Sequence, residues 1–186
     1  KLYSQAFILL TGTAEAFIND VFDNLIQENF LSIRKASGVN YSVSDLQRIL
    51  EENEDKEFVS LELANITIKQ IHSVKNKSEK INFQNTQSMS TTFKEYFGID
   101  IDLEPDYMKS IHKYWQMRHA IVHTNAKVDE RYKHNIEIVG FTSEKIGSKV
   151  IVTKKIYEQC KKDFCTLFDK MEELFVESKL SFEGVV

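Results

Sequence analysis

The segment WQMRHAIVHTNAKVDERY, residues 115–132, carries the side chains best suited to chemistry. Arg118, His119 and His123 fall within six positions, and Lys127, Arg131, Tyr132 and Lys133 follow. An imidazole changes charge near neutral pH and can take or return a proton there. A guanidinium never sheds its charge, and its planar fork of donors fits paired carboxylate or phosphate oxygens. Between residues 109 and 134, Lys109, Lys113, Arg118, Lys127, Arg131 and Lys133 stand against only Asp129 and Glu130. His112, His119, His123 and His134, four of the chain's five histidines, lie in the same window. The whole chain has a net charge of −4, so this positive field is local. A local positive, histidine-rich surface suits a phosphate-bearing ligand. Tyr114, Trp115 and Tyr132 can either stack on bases or fill a core, and helical spacing is more typical of core.

The spacing also admits a metal. His119 and His123 are four apart and share a helical face, but a bound divalent ion needs a third and a fourth ligand. His112 sits two turns before His119, about 10 Å along a helix axis, and no HExxH pattern occurs. Cys160 and Cys165 make neither a disulfide framework nor a complete metal site. The reading is of two reduced thiols in a cytoplasmic protein, with no metal and no cofactor.

Arg118 poses a problem of placement. On a helical wheel of about 100° per residue, Tyr107, Met108, Ile111, Tyr114, Trp115, Met117, Ile121 and Val122 form one apolar arc, and Arg118 falls near its middle. Burying a guanidinium unpaired is very costly. It must therefore find a carboxylate, or the arc must open onto a cleft or an interface. Glu15 lies on the shoulder of the first helix's apolar face, between Phe22 and Ile26, and is the natural partner. A core salt bridge that fixes helix register and a cleft-lining cation both remain open.

The elements that must position these residues are helical. The chain has 186 residues, one proline and six glycines, enough for one domain over residues 1–186 with a full core and too few breakers for a many-stranded sandwich. No apolar run approaches the ~20 residues of a membrane span. Helical spacing predicts helices over 2–30, 58–75, 105–123 and 154–180. Ser44 is placed to cap a further helix through Leu46, Ile49 and Leu50. Residues 76–90 read as a polar connector, and TTFKEYFGI as a short helix stopped by Gly98. Pro105 suits a first turn, and Asn125 a left-handed stop. NIEIVG and SKVIVT alternate like two short strands, which predicts a small β-hairpin near residues 136–153. The fold class is therefore all-α, a bundle of four to five main helices with that hairpin.

With these residues placed, a resemblance emerges. RHAIVH, Arg118 to His123, resembles the R-x4-6-H signature of the HEPN superfamily. MRHAIVHTNAKVDERY is similar to the RN-x-x-VHN-x-G-x-VDERY style of its RiboL-PSP-like branch. LTGTAEAFINDVF resembles that branch's first helix, with a glutamate where Glu15 stands, and TTFKEYFGIDI resembles its short helix and glycine turn. His119 replaces the commoner asparagine, and Thr124-Asn125-Ala126 lacks the glycine often seen there. The likeness is thin over residues 31–80 and closer elsewhere. It implies a helical bundle that dimerises along the motif helix, and a metal-independent endoribonuclease, often a toxin of antiphage or toxin–antitoxin systems with an antitoxin or regulatory partner. Cleavage of that kind needs the 2′-OH to attack the adjacent phosphate, with an acid/base and a charge stabiliser in place. The roles implied are acid/base for His123, charge stabilisation for Arg118, support from His119, an orienting ion pair for Glu15, and substrate binding for Lys127, Arg131, Tyr132 and Lys133. A dimerising module without catalysis, binding RNA, nucleotide or protein, is the rival reading.

Overall fold

The computed structural model describes residues 2–37, 44, 49, 56–72, 81, 83–142 and 145–178. Among them are six helices and no sheet, so the protein is an all-α bundle. Helix α1 spans Leu2–Ser37. Phe7, Ala14, Ile18, Val21, Phe22, Leu25 and Ile26 recur every three or four residues and are buried, which gives α1 one continuous inner face. The predicted end near residue 30 is a kink instead. Asn29 leaves helical geometry (φ −121°, ψ 15°) while its amide donates to the Leu25 carbonyl at 3.0 Å, and the helix then resumes.

Helix α2, Lys56–His72, packs on α1 and buries Ala64 and Thr67. The predicted helix after Ser44 falls largely outside the described residues. Of its positions only Ser44 and Ile49 are described; both are helical, and Ile49 is buried.

Helix α3 spans Thr86–Phe97, so the polar connector is shorter than the sequence predicts. Asn85 is the reason. Its side-chain oxygen accepts from the backbone N–H of Gln87 at 2.9 Å and of Ser88 at 3.2 Å, which satisfies two orphan donors and starts the helix early. Gly98, at φ +72°, ends it by donating to the Lys94 carbonyl at 3.0 Å. That left-handed conformation costs glycine least.

Helix α4, Asp106–His123, crosses the centre and contacts α1, α3, α5 and α6. Pro105 stands just before it, with φ −57° and ψ 145°. At its far end Asn125 and Ala126 are both left-handed, at φ 55° and 58°, and Ala126 donates to the Ala120 carbonyl at 2.9 Å. Asn125 thus sits in the predicted stop.

The hairpin does not form. Residues Glu130–Ile138 are helix α5, which takes in residues 135–138 of the first predicted strand. Asp129 caps it by accepting from the Tyr132 N–H at 2.7 Å. Tyr132 and Ile136, four apart, are buried, while Ile138 is 67% exposed. A strand would have put Ile136 and Ile138 on one face; here they part. The second predicted strand pairs with the stretch after α4 instead. Lys127 and Lys149 form an isolated antiparallel bridge, with Val128 donating to Ser148 at 2.9 Å and Val150 to Ala126 at 2.7 Å.

Helix α6, Lys154–Ser178, buries Cys160, Phe164, Leu167, Met171 and Phe175 against α4 and α1. Asp163 is buried too, and it accepts from the Tyr114 hydroxyl at 2.8 Å and the Gln159 amide at 2.9 Å. Burial and Asp163 together push the Cys160 thiol up to about 12, so it stays protonated and inert. Among the described residues, no helix is long and apolar enough to cross a membrane.

Candidate functional site

The placement of Arg118 is resolved by Glu15. The Arg118 Nη1 group donates to Glu15 Oε2 at 2.7 Å, joining α4 to α1 across 103 positions of sequence. Both side chains keep about a quarter of their surface exposed, 24% and 23%, so the pair lies at the rim of the core. The other carboxylate oxygen, Oε1, accepts from the Gln84 amide at 2.7 Å. Glu15 therefore collects one donor from the segment before α3 and one from α4. The Arg118 Nε is buried and has no hydrogen-bond partner. A Cβ on Gly12 of α1 would lie 3.9 Å from Nη2, so the guanidinium rests over that residue.

One turn on, the His119 and His123 rings sit with centroids 4.7 Å apart and planes inclined by 44°. His123 is exposed and His119 half-buried. Burial holds the His119 imidazole below its ordinary value, helped by the charges of His123 and Arg131 and opposed by Asp129. The first turn of α5 thus brings Arg131 and the capping Asp129 close enough to be felt at His119. Among the described residues, no hydrogen bond joins the guanidinium of Arg118 to either imidazole. One copy holds two neighbouring sets, Gln84–Glu15–Arg118 and His119–His123–Arg131.

The substrate-binding residues named from sequence divide. Lys127 and Arg131 are exposed and Lys133 is half-buried. Tyr132 is a correction. Its side chain is only 4% exposed and belongs to the core, because α5 must bury Tyr132 and Ile136 to dock on α4. It offers no stacking face. Tyr114 and Trp115 are buried in the same way.

The histidine stripe also divides. His112 is buried, its Nδ1 3.1 Å from the Thr86 hydroxyl at the start of α3. Burial lowers its imidazole below the ordinary value, with the Asn135 backbone opposing. A cleft of about 590 Å³ opens on this side, lined by residues including Gln87, Lys109, Asn135 and Ile138. Among the described residues, no three of the His, Cys, Asp and Glu side chains converge as metal ligands would.

Sequence reasoning missed Gln84 and the internal role of His112. The Asn85 cap was the available signal: recognising it starts α3 at Thr86 and sets Gln84 immediately before a helix docked on α1 and α4. Comparison with protein-family models, with curated proteins and with solved structures found no match in any of the three.

Proposed function

We propose that this chain is a metal-independent endoribonuclease of the HEPN type, active as a homodimer with a composite site, and that it serves as a toxin or effector in antiphage defence or a toxin–antitoxin pair. The observation that carries the reading is the Arg118-x4-His123 spacing at the end of α4, where an arginine about a quarter exposed and two adjacent imidazoles lie close to Arg131 in the first turn of α5. In this reaction His123 takes the proton from a ribose 2′-OH. The 2′-oxygen forms a bond to the adjacent phosphorus as the bond to the 5′-oxygen breaks, and a histidine imidazolium of the composite site gives that oxygen its proton. Arg118 stabilises the charge that builds on the phosphorane oxygens. His119 orients its neighbour one turn away. Lys127, Arg131 and Lys133 hold flanking phosphates, which makes binding salt-dependent.

The test is to map the ends of one cleaved RNA, with and without excess chelator, wild type beside His123→Ala. The expected products carry a 2′,3′-cyclic phosphate and a 5′-hydroxyl, chelator is without effect, and a single 2′-deoxy substitution blocks the cut at that site. A 5′-phosphate end that vanishes with chelator would falsify the mechanism, since metal-activated water leaves that end.

The Arg118–Glu15 pair supports a second reading, a dimerising module without catalysis, in which the cation serves register alone. On that reading no RNA is cleaved and Arg118→Ala unfolds the protein.

A further inference from the structure

We infer that Gln84 is a positioning residue for Arg118: by occupying one oxygen of Glu15, it limits the Glu15–Arg118 pair to a single prong and keeps the arginine's Nη2 donors for a phosphate. This role rests on the ribonuclease reading above, although the relay through Glu15 is a matter of geometry alone. A free carboxylate facing an arginine tends to close into two parallel hydrogen bonds, which spend the fork. Here that closure is prevented. Gln84 Nε2 holds Oε1 at 2.7 Å, and Arg118 Nη1 holds Oε2 at 2.7 Å.

The consequence is visible at the guanidinium. Nη1 and Nη2 form its outer end, the pair that a two-pronged closure on Glu15 would spend, and Nε lies on the inner side. Among the described residues, Nε has no acceptor, and the only hydrogen bond of the group runs through Nη1. The charge is partly balanced, which makes its place at the core rim tolerable; Nε is buried and out of a ligand's reach, so the donors left unspent for a phosphate are those of Nη2. Among the described residues no hydrogen bond joins Gln84 to Arg118 directly, and Glu15 bonds to both. The three residues come from α4, α1 and the segment before α3, so the relay also sets how these elements meet at the motif.

Two substitutions of Gln84 separate positioning from mere support. Gln84→Met keeps the length and removes the donor. Gln84→Glu restores an O–H donor only when that carboxyl is protonated, and a second carboxylate beside Glu15 raises the pH at which this happens. At pH 7.5 both variants should lose about 3- to 10-fold in kcat, the scale of one hydrogen bond, with little change in KM. As the pH is lowered, the ratio of Gln84→Glu to wild-type activity should climb, while the ratio for Gln84→Met stays flat. Thermal melts supply a readout that needs no activity. Gln84→Met and Arg118→Met should be less than additive in the wild-type background and additive once Glu15→Ala is present. Additive melting shifts in the wild-type background overturn the relay whatever the activity. An unchanged kcat, or a flat ratio for Gln84→Glu, overturns the positioning role while leaving the ribonuclease reading intact. Wild-type protein that cleaves no RNA overturns that reading and the positioning role with it, and the melts still judge the relay.

Discussion

Two residues on α4 answer to different forces. Arg118 is a permanent charge at the rim of the core, and its cost is met by Glu15. If it also stabilises a phosphorane, Arg118→Ala should lower RNA cleavage by about 100-fold or more, with His123→Ala doing the same and the protein staying folded by circular dichroism. His112 is a titratable group inside the fold, and burial depresses its imidazole. The folded state therefore binds a proton less readily than the unfolded chain, so the stability it contributes is complete above the unfolded value and is lost as the pH falls through the folded one. Melting temperature should drop as the pH is taken below about 6.5. His112→Gln should flatten part of that drop, and an unchanged pH profile in this variant would show that His112 does not carry it.

Helix α5 shows how a local pattern can mislead and a cap can decide. NIEIVG alternates like a strand, yet Asp129 accepts from the Tyr132 N–H and commits the segment to helix. Tyr132 and Ile136 then make a single buried row, and Arg131 is carried to the side of His119. Asp129→Ala should destabilise the protein by about 1 kcal/mol in urea titrations, while Asp129→Ser, which keeps an acceptor at the cap, should stay within a few tenths. Because Asp129 opposes the downward shift of His119, removing its charge should lower that imidazole further, measurable by NMR titration.

At the scale of the whole molecule, the proposed chemistry needs more than one copy. Arg118 and His123 diverge by about 140° around a straight helix, and no hydrogen bond joins them here. A two-fold dimer with α4 at or near its interface would bring the second set to face the first, since isologous contacts set each motif against its mate. Light scattering at micromolar concentration should therefore give twice the chain mass. Val122, 51% exposed beside the motif, is the place to disturb it: Val122→Asp should yield a folded monomer that no longer cleaves RNA. A wild-type monomer at high micromolar concentration would count against the composite site.

Local pattern and residue type determined the all-α class, the long helices α1, α4 and α6, the Gly98 stop and the left-handed Asn125, because each depends on residues within a few positions of one another. Spacing also singled out Arg118 as misplaced and Glu15 as its natural partner. Whether the two meet is a question of packing, and only the way α1 docks on α4 sets them 2.7 Å apart. The same docking decided matters that no local pattern holds. His112 turns to Thr86 and leaves the stripe it shares on the wheel with His119 and His123. Tyr132 turns inward, and Gln84 reaches Glu15 from 69 residues away. Local propensity can name an element and its ends, but which face of it is buried, and which distant side chain completes a charge, depends on neighbours that the chain supplies only when it folds.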